Sequence, residues 1–280
     1  VIVCVHGLSR QGRDFDTLAQ VLLRHAQQPL RIACPDVVGR GRSDWLKDPM
    51  GYQVPRYAAD TLAMLGTLNA QAPITMLDWL GTSMGGLIGL AVGGTPKLPL
   101  PVPVRRLVLN DVGPEIQWQA LQRIGTYLGN TGRFDSIEAA AAAMWAISSN
   151  FGPHTPEQWL AMSQPMVRPL AEGGFTLHYD PAIAVPFRTV TEESAAQGQA
   201  ALWQLYDNIR AEVLITRGAN SDLLARETAL AMTRRGPKAR LVEFEGVGHA
   251  PTFMVNNQIE AVASFLLGQD EDEKPHGGAS

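Results

Sequence analysis

Gly81-Thr82-Ser83-Met84-Gly85 stands between an apolar run over residues 74–80 and a second apolar stretch over residues 86–92. A serine on a sharp turn between a strand and a helix is held in a strained backbone conformation, with its hydroxyl exposed above the sheet. Side chains two positions to either side would collide with such a turn, and glycine avoids the collision. The helix behind the serine supplies a free backbone N–H, that of Met84, and a partial positive dipole end. Both favour the oxyanion that forms when a carbonyl is attacked. Ser83 is therefore the candidate nucleophile.

Such a serine needs a base, and the base needs an acid to orient it. Gly246-Val247-Gly248-His249-Ala250 follows a strand expected over residues 240–244 and leads into the last helix. A glycine-flanked loop there can deliver the His249 imidazole over the carboxyl edge of a sheet, the edge where Ser83 also lies. Asp222 follows the strand expected over residues 213–216 by a short loop, and one helix and one strand separate it from His249. Asp111, in Leu109-Asn110-Asp111-Val112-Gly113-Pro114, ends the preceding strand on the same edge and is a rival acid. Asp222 is preferred because its loop extends past the strand end, whereas Asp111 follows its strand almost at once. His6-Gly7-Leu8-Ser9-Arg10 follows the first strand, and the Leu8 N–H could complete an oxyanion hole with that of Met84. His6 itself reads as a structural brace for that loop. The run Asp36 to Asp44 is Gly-rich but lacks a phosphate-loop ending. It reads as a tight loop in which Asp36 pairs with nearby backbone or arginine. His25, His154, His178 and His276 have no catalytic context.

These residues need a scaffold that brings strand ends together. Apolar runs at residues 1–5, 31–34, 74–80, 105–109, 213–216 and 240–244 read as strands, several rich in Val and Ile without polar alternation. Such strands are buried on both faces, as in a parallel sheet covered by helices. Helical patterns at 15–25, 56–69, 84–92, 225–235 and 256–267 alternate with them, which predicts a doubly wound, mostly parallel α/β fold. The alternation breaks between about residues 112 and 210, where helices are expected at 117–128, 136–148, 156–166 and 195–208. Asp135 or Ser136 and Thr155-Pro156 supply start signals for two of them. A helical insertion between two sheet strands reads as a cap. The domain organisation expected is therefore 1–111 with 211–268 as core, 112–210 as cap or lid, and 269–280 as a disordered acidic tail. Trp118, Trp145, Trp159 and Trp203 fall in the cap, where they should build its own small core, some of them also lining the cleft beneath.

With 280 residues, the chain can bury a large core. Its net charge of −4, without a basic cluster, argues against nucleic acid and anionic membrane surfaces as partners. No apolar run is long enough for a transmembrane helix. Cys4 and Cys34 lie in expected strands and read as reduced core residues, which suits a cytoplasmic compartment. Neither has a partner at metal-ligand spacing, so no metal is expected. The chain opens at Val1 in mid-strand, which predicts further sequence upstream, a signal peptide being one possibility. The stretch Leu98 to Pro103 reads as an extended surface connection stiffened by alternate prolines.

Val5-His6-Gly7, Asp36-x-x-Gly39-x-Gly41-x-Ser43, Gly81-Thr82-Ser83-Met84-Gly85-Gly86, Arg217-Gly218 with Asp222, and Gly248-His249 together resemble the α/β-hydrolase family, of the lid-bearing serine esterase type. The likeness runs from Val1 to about Leu267. It implies an eight-stranded, mostly parallel sheet whose first two strands would precede Val1, and serine hydrolase chemistry without a cofactor. The expected activity is hydrolysis of a small-to-medium apolar carboxylic ester through an acyl-enzyme. Since the family's scaffold carries several reactions, a carbon–carbon bond hydrolase of ring-cleavage products and a non-catalytic ligand-binding homologue stand as alternatives. Haloalkane dehalogenases resemble the lid architecture but place aspartate where Ser83 stands. Ring-cleavage hydrolases resemble the Ser83 segment, yet usually follow the histidine with a tryptophan-containing stretch, where this chain has Ala250-Pro251-Thr252-Phe253.

Overall fold

The computed structural model describes residues 1–268; the acidic stretch expected to form a tail lies outside the described residues. Its centre is a six-stranded, all-parallel sheet of β1 (Ile2–Val5), β2 (Ile32–Ala33), β3 (Leu77–Thr82), β4 (Val104–Asn110), β7 (Glu212–Gly218) and β8 (Arg240–Phe244). The spatial order is β2-β1-β3-β4-β7-β8. The six strands expected from sequence are these six, and β7 runs two residues further at its carboxyl end than its apolar core suggested.

Side chains alternate across each strand and fill two separate cores. Val3, Val5, Leu107, Leu109, Val213 and Ile215 face one side, with α2 (Val54–Gln71) and α3 (Met84–Gly94). Ile2, Cys4, Leu80, Val108 and Leu214 face the other, with α1 (Asp16–His25) and α10 (Asn256–Leu267). Two buried faces account for the unbroken apolar strands. After β7, α9 (Arg226–Met232) returns the chain to β8. Cys34 lies just past β2 and is half-buried.

Between β4 and β7 come α4 (Trp118–Tyr127), α5 (Ile137–Ser148), α6 (Pro156–Ser163), α7 (Ala184–Phe187) and α8 (Glu192–Asn208). Ser136 caps α5 through the Ala139 N–H, and Thr155 with Gln158 forms a capping box on α6. An antiparallel hairpin not expected from the sequence also lies here, β5 (Val167–Pro169) with β6 (Phe175–Leu177). Three-residue strands carry too little alternation to read. Helices α5 and α6 build a small core of their own around Met144, Trp159, Met162 and Met166, with Trp145 against it. Trp203 of α8 belongs instead to the sheet's core. Among the described residues no helix is long and apolar enough to cross a membrane.

The sheet register decides where the chemistry sits. Val5 is abreast of Gly81, Thr82 of Asn110, and Asn110 of Thr216. The residues that follow these strand ends therefore emerge side by side along one edge. The chain order reverses between β1 and β3, the switch point where open α/β sheets form a crevice.

Candidate active site

Ser83 closes β3 and opens α3 with φ 52° and ψ −114°, a left-handed conformation costly for any residue with a side chain. Two glycines allow it. A Cβ on Gly81 would strike the backbone carbonyl of Gly85, and one on Gly85 would strike the Val5 carbonyl of β1. The turn is therefore pressed against the neighbouring strand, and the Ser83 hydroxyl is left on the crevice side.

His249 lies beyond β8 and is mostly buried, its side chain 12% exposed. Its Nε2 is 3.0 Å from Ser83 Oγ and its Nδ1 is 2.6 Å from Asp111 Oδ2. A carboxylate at Nδ1 and a hydroxyl at Nε2 select the tautomer with its proton on Nδ1, so that Ser83 Oγ–H donates to Nε2. The loop is fastened from two sides: the Gly248 N–H donates to the Asn150 carbonyl, and the Asn220 N–H to the Val247 carbonyl.

The acid is where the sequence reading requires correction. Asp222, the preferred candidate, does not meet His249. Its carboxylate, 42% exposed, accepts from Arg123 Nε at 2.7 Å and Nη2 at 3.0 Å, tying the loop to α4. Asp111 is fully buried and holds the imidazole. Two features of the backbone explain the exchange. Asp111 adopts φ 55°, which turns the chain immediately after β4 instead of carrying it onward. The longer β7 leaves only a tight turn before Asp222, and within it Ser221 faces inward while its neighbour faces solvent. Asp111 Oδ1 accepts the Gly218 N–H at 2.9 Å, and Oδ2 accepts the Ser221 hydroxyl at 2.6 Å.

Asn110, Ser221 and Arg40 went unnoticed in the sequence. The fully buried Asn110 amide donates to Thr82 Oγ1 and to the Pro251 carbonyl, and its Oδ1 accepts from Thr216 Oγ1. It thereby ties the ends of β3, β4 and β7 to the His249 loop. The signal was present: two polar residues, Asn110-Asp111, end an otherwise apolar strand.

Leu8 lines the cavity beside Ser83, and Met84 follows Ser83 as the first residue of α3. His6 is buried; its Nε2 accepts the Val37 N–H at 2.9 Å and its Nδ1 donates to the Gly7 carbonyl at 2.7 Å. Burial holds its pKa down at about 4, so it stays neutral and braces the loop as expected. Asp36 accepts the backbone N–H groups of Gly12 and Arg42. His154 bonds Thr252 and the Gly152 carbonyl.

Above Ser83 and His249 lies a cavity of about 350 Å³. Its walls are mainly apolar, with Leu8, Phe15, Ile124, Met144, Ile147 and Phe253 among them. None of the tryptophans of the segment lines it, contrary to expectation: Trp145 and Trp159 pack edge-on against each other, and Trp203 against Tyr206. Two arginines reach the cavity, each paired with an aspartate, Arg10 with Asp14 and Arg123 with Asp222. The walls therefore carry little net charge.

The chain belongs to the alpha/beta hydrolase family, which its sequence matches over residues 2–265. It is a hydrolytic enzyme of that family. It is 48% identical over 271 residues to a 3-hydroxybutyrate-oligomer hydrolase of Cupriavidus necator, covering 96% of this chain and 88% of that one. Among solved structures, it resembles an alpha/beta hydrolase from Novosphingobium aromaticivorans with a TM-score of 0.78 and 33% identity, over 95% of this chain and 88% of that one. A Rickettsia typhi structure superposes with a TM-score of 0.81 at 31% identity, over 95% and 85% of the two chains.

Proposed function

We propose that this chain is a serine ester hydrolase acting on short, mostly apolar oligoesters of 3-hydroxyalkanoic acids, with Ser83, His249 and Asp111 as its triad. The observation that carries the reading is the continuous hydrogen-bonded line from Ser83 Oγ through His249 to Asp111 Oδ2. The ester carbonyl enters the crevice at the sheet edge. His249 Nε2 takes the Ser83 proton as Oγ attacks, and Asp111 stabilises the imidazolium that forms. The oxyanion is received by the backbone N–H groups of Leu8 and Met84, with the amino end of α3 behind it. Nε2 then gives its proton to the departing alkoxide, leaving an acyl group on Ser83. A water deprotonated by the same nitrogen releases the acid and restores the serine.

The substrate class rests on the relative and on the cavity. A 3-hydroxybutyrate oligomer is uncharged between its ends and carries only a methyl branch per unit, which suits apolar walls whose arginines are already paired. A volume of about 350 Å³ is at the small end for a ligand pocket, which favours short chains over a polymer surface. The segment between β4 and β7 acts as the cap over this cavity, since Ile124, Met144 and Ile147 on its helices form walls facing Ser83.

The test is a substrate panel given to the purified protein: linear 3-hydroxybutyrate dimer and trimer, nitrophenyl esters of graded acyl length, and a vinylogous diketone acid of the ring-cleavage type. Release of 3-hydroxybutyrate and turnover of short-chain esters, both lost in Ser83→Ala, are expected. Turnover of the diketone acid alone would move the reaction to a carbon–carbon bond. No turnover of any of them would leave a binding role.

A further inference from the structure

A buried arginine touches both residues to which the oxyanion is assigned. Arg40 sits in the Gly-rich loop after β2 and is fully buried. Its Nε donates to the Leu8 carbonyl at 2.8 Å, and its Nη2 lies 3.4 Å from Met84 Sδ. Nη1 donates to the Val38 carbonyl at 2.7 Å and to the Tyr57 hydroxyl at 3.0 Å. The guanidinium also stands over the rings of Tyr57 and Tyr52, at 5.0 and 5.7 Å from their centres. Every one of these partners is neutral. The nearest acid in this network, Asp180, is one residue removed, accepting the Tyr52 hydroxyl at 2.5 Å.

A buried cation without a touching carboxylate is an unfavourable arrangement on its own, and burial disfavours its charged form. Hydrogen bonds to carbonyls and aromatic faces offset part of that cost. The Asp180 carboxylate offers a countercharge from behind Tyr52, and an oxyanion formed beside Leu8 and Met84 would add a second. Fixed positive charge in a water-poor site, aimed at where negative charge develops, is what lowers such a barrier, because nothing has to reorganise during the reaction.

We propose that Arg40 is a positioning residue of the oxyanion hole: its guanidinium fixes the Leu8 loop and the Met84 side chain relative to each other, and its charge favours the oxyanion between their N–H groups. This role rests on the serine-hydrolase reading above. It differs from a cement for the loops, because it acts on the transition state more than on bound substrate. Removing Arg40 should therefore lower kcat and leave KM nearly unchanged.

The experiment compares wild type, Arg40→Gln and Arg40→Lys on nitrophenyl butyrate, with circular dichroism to confirm folding. Two inhibitors are measured beside it: an alkyl trifluoromethyl ketone, whose adduct with Ser83 carries the oxyanion, and an ether analogue of the ester, which carries none. In Arg40→Gln, kcat should fall by about 10–100-fold with KM within about twofold. Ketone affinity should fall by a similar factor while the ether analogue binds as before. Arg40→Lys keeps the charge but not the fork of donors and should lie between the two. Folded Arg40 variants with wild-type kcat would overturn the role, as would equal losses for ketone and ether. Should neither Arg40 variant fold, Met84→Leu, which removes only the sulfur partner, takes their place. A loss of ketone affinity with unchanged ether binding would support the role, and unchanged kcat and ketone affinity would overturn the positioning of Met84 by Arg40. Wild type inactive on every ester and blind to the ketone would defeat the hydrolase reading itself, a result visible before any variant is made.

Discussion

His249 Nδ1 stands 2.6 Å from Asp111 Oδ2, and Asp111 is fully buried, whereas Asp222 spends both carboxylate oxygens on Arg123 at the surface. The two aspartates follow adjacent strands, so each could in principle serve the same imidazole; the hydrogen bonds distinguish them. Asp111→Asn should lower kcat by on the order of 10³–10⁴ through loss of the correct tautomer and of imidazolium stabilisation. Asp222→Asn should stay within a few-fold of wild type and cost under about 1 kcal/mol of stability, as an exposed ion pair does. Steady-state kinetics on nitrophenyl butyrate and urea unfolding of both variants decide it. The reverse pattern would return the acid to Asp222.

Ser221 donates to the same Asp111 oxygen that faces His249, and its own oxygen accepts the N–H groups of Leu223 and Leu224 at 3.2 Å. It thus holds Oδ2 while the Gly218 N–H holds Oδ1. Ser221→Ala should reduce kcat about tenfold, in line with roughly 1.5 kcal/mol for a hydrogen bond to a charged group, with KM little changed. Wild-type kcat in a folded Ser221→Ala protein would show that Gly218 alone suffices.

Gly85 has no room for a side chain, because a Cβ there meets the Val5 carbonyl of the adjacent strand. The carbonyl is sheet backbone and a Cβ is fixed to its own backbone, so neither can swing aside. Gly85→Ala should cost roughly 4 kcal/mol or more, a large effect for one methyl group, and reduce the yield of soluble protein. Urea unfolding reads the loss directly. A variant within about 1 kcal/mol of wild type would mean that β1 and α3 lie further apart than described.

Acid should destabilise the fold partly through His6. Its pKa is held at about 4 by burial, against an ordinary 6.5. Well above pH 6.5 the imidazole is neutral both folded and unfolded and contributes no pH dependence. As the pH falls below 6.5, the unfolded chain takes up a proton that the folded chain refuses, and stability declines until about pH 4. The full penalty is roughly 3 kcal/mol. His154 and His178, also pushed down by burial, act with the same sign. His6→Gln can still accept the Val37 N–H but does not titrate, so its unfolding midpoint should fall less steeply between pH 7 and pH 4. Equal slopes for the two proteins would remove His6 from the account of acid sensitivity.

The fold was legible because its strands are buried on both faces and so stand out as unbroken Val- and Ile-rich runs. Ser83 was legible because a strained turn demands glycines at fixed spacing, and His249 because glycines flank it beyond a strand. The carboxylate that meets His249 was not, for a physical reason. Which of two strand-end aspartates meets the imidazole depends on a left-handed backbone at Asp111 and on two extra residues of β7, and neither leaves a periodic mark. Arg40 was hidden differently: as one of two arginines in a Gly-rich loop, it has no pattern that separates a buried guanidinium from an exposed one. The short hairpin β5–β6 and the placement of the tryptophans away from the cavity depend on packing between helices distant in sequence.

One serine, Ser83, is proposed to carry the hydrolysis of a hydroxyalkanoate ester. The most direct measurement titrates the protein with a fluorophosphonate, locates and counts the label by peptide mass spectrometry, and records 3-hydroxybutyrate release from the linear dimer at each degree of labelling. Release should fall linearly to zero as the label reaches one per chain, with all of it on the peptide carrying Ser83 and none in Ser83→Ala. Undiminished release from a chain fully labelled at Ser83, or a label that inactivates from any other residue, would contradict it.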